Sequence, residues 1–260
     1  MHDFSSILSR FESISLEEMD SVKLMERTDT KYVFPITSLP EILEGMISQY
    51  RLLEINNVRV QRYESLYYDT KDFLLYRKHL VGKPDRYKIR FRRYIDSQGL
   101  TFLEVKHKNN KKTTSKKRSK MNDIESGMID KATEFVIKHT PYQPEIFVPC
   151  IWVNYSRMTF VNKYSQERLT IDTNLNYLNA YDQSNASCSF PQMVIAEAKR
   201  EKAASVSQFI RLVRNIGVRE GSISKYCFGI YNLVNEVPKN NLKPKVRFVY
   251  KMAGLQFINK

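Results

Sequence analysis

The sequence is poor in the residues that staple a fold, cradle a phosphate or cross a membrane. Its three cysteines, Cys150, Cys188 and Cys227, are odd in number, far apart and outside any C-x-x-C spacing. That excludes a disulfide framework and a cysteine zinc cluster, and leaves ordinary interior thiols. The four histidines, His2, His79, His107 and His139, share no metal-ligand spacing and read as structural or exposed. With 8 glycines and no G-x-x-x-x-G-K-[ST] run, no glycine-rich backbone cradle of the P-loop kind is evident. No stretch approaches the roughly 18 apolar residues of a membrane-spanning helix. The first residues lack the basic, apolar, small-residue order of a secretory signal. The expected location is the cytoplasm, with association with a membrane complex left open.

What the chain has in excess is positive charge. Its 260 residues carry 42 Lys+Arg against 28 Asp+Glu, a net +14, while 42% hydrophobic residues supply a sizeable core and exclude disorder across the whole chain. From Lys106 to Lys120 there are eight basic residues (Lys106, Lys108, Lys111, Lys112, Lys116, Lys117, Arg118, Lys120) and no acid. Such a run is a solvated loop or a patch for a polyanion. No helix-turn-helix, zinc-finger or RNP-type aromatic pattern accompanies it, so sequence-specific nucleic-acid binding is not expected.

Helical spacing occurs in few places. Thr37 or Ser38 is placed to cap a helix with Pro40 in its first turn and Ile42, Leu43, Met46, Ile47 and Tyr50 as its stripe. Residues 128–139 form a second, and a third follows Ser205, with Val206, Phe209, Ile210, Val213 and Ile216 in register and Gly217 as its stop. Weaker helical segments span 16–25 and 225–234. Strands are expected at 59–69, 86–96, 100–108, 152–163, 167–175 and 193–199, with turns at 97–99 and 163–166. This is one α+β domain around a largely antiparallel sheet, residues 1–237 with a core of about 20–235. The Pro-, Asn- and Lys-rich stretch 238–245 reads as the linker into a C-terminal tail, 238–260.

Strand parity sorts side chains to two faces. Lys88, Arg90 and Arg92 share one face of their strand, as do Glu104, Lys106 and Lys108, then Arg168, Thr170 and Asp172, then Glu197 and Lys199. An antiparallel sheet with one wet face explains any single strand. The functional explanation for the set is a closed or nearly closed barrel lined by cations, which requires a polyanion to supply the counter-charge. Glu104 and Glu197 each stand two residues before a lysine. They are either partners in structural salt bridges or holders of a hard divalent cation together with phosphate oxygens.

The ordered segments 26–34 (ERTDTKYVF), 67–70 (YYDT), 88–94 (KIRFRRY), 102–106 (FLEVK), 155–160 (YSRMTF), 168–174 (RLTIDTN), 196–199 (AEAK) and 224–226 (SKY) resemble the polyphosphate polymerase (VTC) domain. That family lies within the triphosphate tunnel metalloenzyme, or CYTH-like, superfamily. The resemblance implies an antiparallel β-barrel, the triphosphate tunnel, with flanking helices, in which inward cations hold ATP and growing polyphosphate. It implies phosphate ligands at Lys31, Arg90, Arg92, Lys106, Arg157, Arg168 and Lys225. Further substrate contacts fall at Lys88, Glu104, Lys116, Arg118, Tyr155, Lys199 and Ser224, and Glu197 becomes the ligand of Mn2+ or Mg2+. The implied reaction moves the γ-phosphoryl of ATP to the end of the polyphosphate and releases ADP. The acceptor oxygen is already ionised, so no strong base is needed. The family also implies a membrane-protein partner that receives the chain; the oligomeric state is open.

Two positions depart from the family pattern. Ser222 stands where the family has a second lysine, and Ile95 where it has a glycine. The hydrolytic branch of the superfamily begins with an E-x-E-x-K strand. Here only Glu26 precedes Lys31 in that form, with Asp29 as a partial substitute, so the segment leans toward polymerase. Water as the acceptor would make a tripolyphosphatase or nucleoside triphosphatase instead. A non-catalytic binder of polyphosphate or nucleic acid, held by counterion release, is the third reading.

Overall fold

The computed structural model describes residues 3–21, 27–111, 113–182, 184–201, 207–221 and 223–257. His2, Glu26, Lys112, Ser205, Val206 and Ser222 lie outside them. The strands are β1 (Ser13–Ile14), β2 (Arg27–Pro35), β3 (Tyr50–Leu53), β4 (Gln61–Thr70), β5 (Arg86–Tyr94), β6 (Leu100–Lys108), β7 (Thr114–Met121), β8 (Phe147–Asn162), β9 (Glu167–Asn179), β10 (Ser187–Phe190), β11 (Met193–Glu201) and β12 (Glu220–Gly221). The helices are α1 (Ser5–Leu8), α2 (Leu16–Ser21), α3 (Leu39–Met46), α4 (Leu74–Leu80), α5 (Lys131–His139), α6 (Gln208–Asn215), α7 (Lys225–Leu233) and α8 (Lys243–Met252).

Among the described residues all strands join one sheet. Its main path runs β12-β2-β11-β9-β8-β4-β5-β6-β7, with β3 and β10 as side branches. Pairing is antiparallel apart from the short β1–β3 ladder. The sheet is strongly curled. Five strand spacings separate β11 from β6, about 24 Å on a flat sheet, yet Glu197 on β11 and Lys31 on β2 act electrostatically on Lys106 of β6. The α+β architecture with flanking helices is the expected one, but the barrel is left open, since no described strand bridges β7 and β12.

Helices cover the two faces unequally. Outside, α3 and α6 cover β2, β11 and β9, with Ile42, Met46, Phe209 and Val213 packed on Phe34, Ala196 and Ile171. The α3 stripe Ile42, Leu43 and Met46 is buried as its spacing predicts. However, the helix ends at Met46, Tyr50 opens β3, and a 3₁₀ turn at Ile36–Ser38 replaces the expected side-chain cap. Ser207 caps α6 by accepting from the backbone N–H of Ile210 at 3.2 Å, and Gly217 follows with φ +74°. On the other flank α5 packs Ala132 and Val136 onto Ile89, Phe91 and Val105.

One helix lies inside the curl. Tyr226 to Asn232 of α7 are all buried, packed with Val33, Tyr67, Ile151, Tyr177 and Ile195 from the concave side of the sheet. Such a helix cannot be amphipathic, because every side meets protein. Gly229 permits the approach, as a Cβ there would lie 2.5 Å from Ile151 Cδ1 and Tyr177 Cδ1. The plug fills one end of the concavity with apolar side chains and leaves the other to charged ones.

Two sequence expectations change. The stretch read as a tail linker leads into α8, whose Val246 and Val249 are buried in the same cluster as α7. Proline is tolerated in a first helical turn, so Pro244 marks the start of this helix and not a break. The basic run read as a solvated loop or patch is largely ordered as the β6–β7 hairpin. Among the described residues, no helix is long and apolar enough to cross a membrane.

Candidate functional site

Residues directly opposed in a ladder share a face, so the register assembles the concave wall strand by strand. Lys31 stands opposite Glu197, Glu197 opposite Thr170, and Lys199 opposite Arg168. Arg157 is opposite Asp172. Arg92 faces Ser65 and Arg90 faces Tyr67. Lys88 faces Lys106, Arg90 faces Glu104, Glu104 faces Arg118 and Lys106 faces Lys116. The predicted site residues of β2, β5, β6, β7, β8, β9 and β11 are therefore brought to one surface.

The cations on this surface gather around three carboxylates. Glu104, 2% exposed, accepts from Arg90 Nε at 2.8 Å and Nη2 at 2.6 Å, and its other oxygen lies 2.5 Å from Lys116 Nζ. Asp172 takes the Arg157 fork at 2.6 and 2.8 Å and Lys225 Nζ at 2.5 Å. Glu197 accepts from Lys31, with Lys199 Nζ 3.9 Å from its second oxygen. Burial opposes the charge of each carboxylate, but the adjacent cations outweigh it. Glu104 and Asp172 are held well below the usual carboxylate range, and Glu197 at about 2. Burial also lowers Lys199 to about 8, against the pull of Glu197.

Arg92, Lys88, Lys106 and Arg118 have no carboxylate within ion-pair distance among the described residues. Arg92, 6% exposed, donates to Ser65 Oγ at 3.1 Å and to the Tyr155 hydroxyl at 2.7 Å. Its guanidinium lies 5.3 Å from the Tyr63 ring centroid. Lys88 donates to Ser224 Oγ at 2.8 Å. Lys106 reaches solvent within the concavity. Desolvation by the surrounding walls, and then the charge of Lys88, lower its pKa. Arg118 rests over the Phe102 ring at 4.9 Å. Clustered, under-neutralised cations with unspent N–H groups make a surface that binds polyanions.

Two predicted substrate contacts have different work in the structure. Glu104 is sealed behind Arg90 and Lys116 and acts as their counter-ion. Ser224 caps α7, accepting from the backbone N–H of Cys227 at 3.3 Å as well as from Lys88. Among residues without an assigned sequence role, Asp172 and Tyr67 stand out, the latter accepting from Arg90 at 2.6 Å. Strand parity placed Asp172 on the ionic face, which was the available signal. Asp69 of the YYDT segment is structural. It is wholly buried, accepts the backbone N–H groups of Leu75 and Tyr76 at 2.8 Å each, and takes the hydroxyl of Tyr226.

A hard divalent cation needs oxygen donors, and one or two carboxylates with substrate phosphates suffice for Mg2+. The described residues hold no cluster of three His, Cys, Asp or Glu side chains. Yet Glu197 is ionised with one oxygen only loosely engaged, and opposite it the buried Thr170 Oγ1 has no hydrogen-bond partner. This donor set fits a cation completed by phosphate oxygens.

The sequence pattern of the VTC-domain family matches residues 26–234. No curated protein matches the chain. Among solved structures it is similar to a candidate adenylate cyclase of Bacillus halodurans, with TM-score 0.47 and 10% identity over 77% of this chain and 96% of that one. It is also similar to a candidate adenylyl cyclase of Hippeastrum described as having a dominant triphosphatase activity, with TM-score 0.46 and 12% identity over 82% and 98% of the two chains.

Proposed function

The chain belongs to the VTC-domain family, and from that premise we propose that it is a polyphosphate polymerase transferring the γ-phosphoryl of ATP to a growing polyphosphate. The observation that carries this reading is the concave wall itself, where cations from seven strands and α7 converge with too few carboxylates to neutralise them. Phosphoryl transfer asks mainly for alignment of donor and acceptor and for neutralisation of spreading charge. Arg90, Arg92 and Arg157 offer planar forks to phosphate oxygens. Lys31, Lys88, Lys106, Lys116, Lys199 and Lys225 act as point charges along the path, with Arg168 and Arg118 on the same wall. Tyr155 orients Arg92 through its hydroxyl. The acceptor is a terminal phosphate oxygen, ionised at neutral pH, so the wall needs no general base.

Tunnel-fold proteins are generally dependent on a divalent metal. Here Glu197, with Thr170 beside it, would hold Mn2+ or Mg2+, which when bound neutralises charge on the transferred group.

The test is the fate of labelled γ-phosphate. With γ-labelled ATP, Mn2+ and short polyphosphate as primer, label is expected in the polymer with matching ADP. Label released as orthophosphate would instead support the hydrolase reading, which draws on Asp29 opposite Lys199 at the head of the wall.

A further inference from the structure

Asp172 performs no step of the chemistry above, yet both of its oxygens are engaged by cations of the concave wall. Its side chain is 3% exposed. Oδ1 accepts from Arg157 Nε, while Oδ2 accepts from both Arg157 Nη2 at 2.8 Å and Lys225 Nζ at 2.5 Å. Two cations from separate elements, β8 and α7, thus meet on one oxygen. Both lie against the same ring, with Arg157 Cζ 5.2 Å and Lys225 Nζ 4.9 Å from the Tyr155 centroid. Among the described residues Arg157 Nη1 makes no hydrogen bond, and Lys225 makes one, so donors remain to be spent.

We infer that Asp172 is a positioning residue that stands in for a phosphate, holding Arg157 and Lys225 together when the wall is empty and competing for them when a phosphate arrives. The inference rests on the phosphate-binding reading. A carboxylate offers a guanidinium fork two anionic oxygens, much as a phosphate does. Without it, two neighbouring cations would repel each other and stay largely buried with no counter-charge. With it, the pair is organised before substrate binds, and every phosphate binds against the field of a fixed anion. That moderates affinity, which suits a wall whose ligand must leave each site as well as occupy it.

The test uses the full chain without metal and tripolyphosphate as the probe, read by calorimetry and by thermal unfolding. Wild type is compared with Asp172→Asn and with the double variant Asp172→Asn, Lys225→Met. Asp172→Asn is expected to bind tripolyphosphate about tenfold more tightly, to melt lower without anion, and to recover its Tm when saturated. Removing Lys225 as well relieves the repulsion, so the double variant recovers Tm without anion. Binding no tighter than wild type, with a Tm deficit that neither tripolyphosphate nor loss of Lys225 repairs, overturns the inference and leaves an ordinary structural ion pair. If Asp172→Asn does not fold, the double variant decides: folding supports the role and failure to fold contradicts it. Absence of tripolyphosphate binding by the wild type would overturn the phosphate-binding reading itself, a different result from either.

Discussion

Lys88 reaches across the concavity from β5 to Ser224, the N-cap of α7, with Nζ 2.8 Å from Oγ. The next residue, Lys225, ties the same helix to Asp172 on β9. The start of α7 is thereby pinned between two walls of the curled sheet, with the positive end of its dipole turned toward the ionic half of the cavity. A helix buried as a plug doubles as a fixed element of the binding surface.

Ser224→Ala removes both the cap and the acceptor for Lys88. The cap alone is worth about 1 kcal/mol, so Tm should fall measurably and tripolyphosphate affinity with it. Lys88→Met should weaken binding with a smaller loss of Tm. A Ser224→Ala protein that melts like wild type would show that α7 is not held at this point.

Arg92 is buried beside tyrosines without a carboxylate, an arrangement that burdens the empty fold. Arg92→Met is expected to stay within about 1 kcal/mol of wild-type stability while losing at least about tenfold in tripolyphosphate affinity. Calorimetry beside a melting curve separates the two effects. A large loss of stability with unchanged affinity would make Arg92 a structural residue.

Much of this was legible in the sequence, for reasons that differ by element. The alternation of Lys88, Arg90 and Arg92 with Ile89 and Phe91 fixes which side faces in, because a one-residue slip would bury the charges in the α5 layer. In contrast, β7 reads TSKKRSKM and has scarcely any apolar face. It forms because β6 offers it a ladder, so its strand character lies in the partner and not in its own residues. For α8 the misleading signal was proline, whereas α7 falls on the weaker helical segment read at 225–234. The Asp172 knot depends on α7 meeting β9, which no spacing within one strand contains, whereas the Glu104 knot lies across the consecutive strands β5, β6 and β7, and Glu197 has Lys199 of its own strand 3.9 Å away.

Glu197→Gln tests the metal. Loss of the charged oxygen should abolish most Mn2+- or Mg2+-dependent turnover while leaving metal-free tripolyphosphate binding within a few-fold of wild type, since the cationic wall remains. Equilibrium binding and turnover measured on one preparation check this. Full activity in the variant would remove Glu197 from the metal site.

Acid should loosen the fold in steps whose sign follows from the groups involved. Burial, followed by the charges of Lys88 and Arg86, depresses His79 to about 3 in the folded chain. The unfolded chain takes up this proton near 6.5, so the stability from a neutral His79 is complete above that pH and is lost as pH falls toward 3, by at most about 1.4 kcal/mol per unit. The contribution of Glu197 persists to about pH 4.5 and is lost toward 2. Denaturant melts from pH 7 to 4 should show the first slope in wild type and a flatter one in His79→Leu. Equal slopes would rule out His79 as its source.

The most direct measurement of the central claim is a structure of the protein with a non-hydrolysable ATP analogue and Mn2+. The triphosphate is expected along the concave wall, its oxygens on Arg90, Arg157 and Lys225 and the metal at Glu197. A nucleotide bound outside the curl, with these side chains still paired only to Glu104, Asp172 and Lys31, would contradict the account.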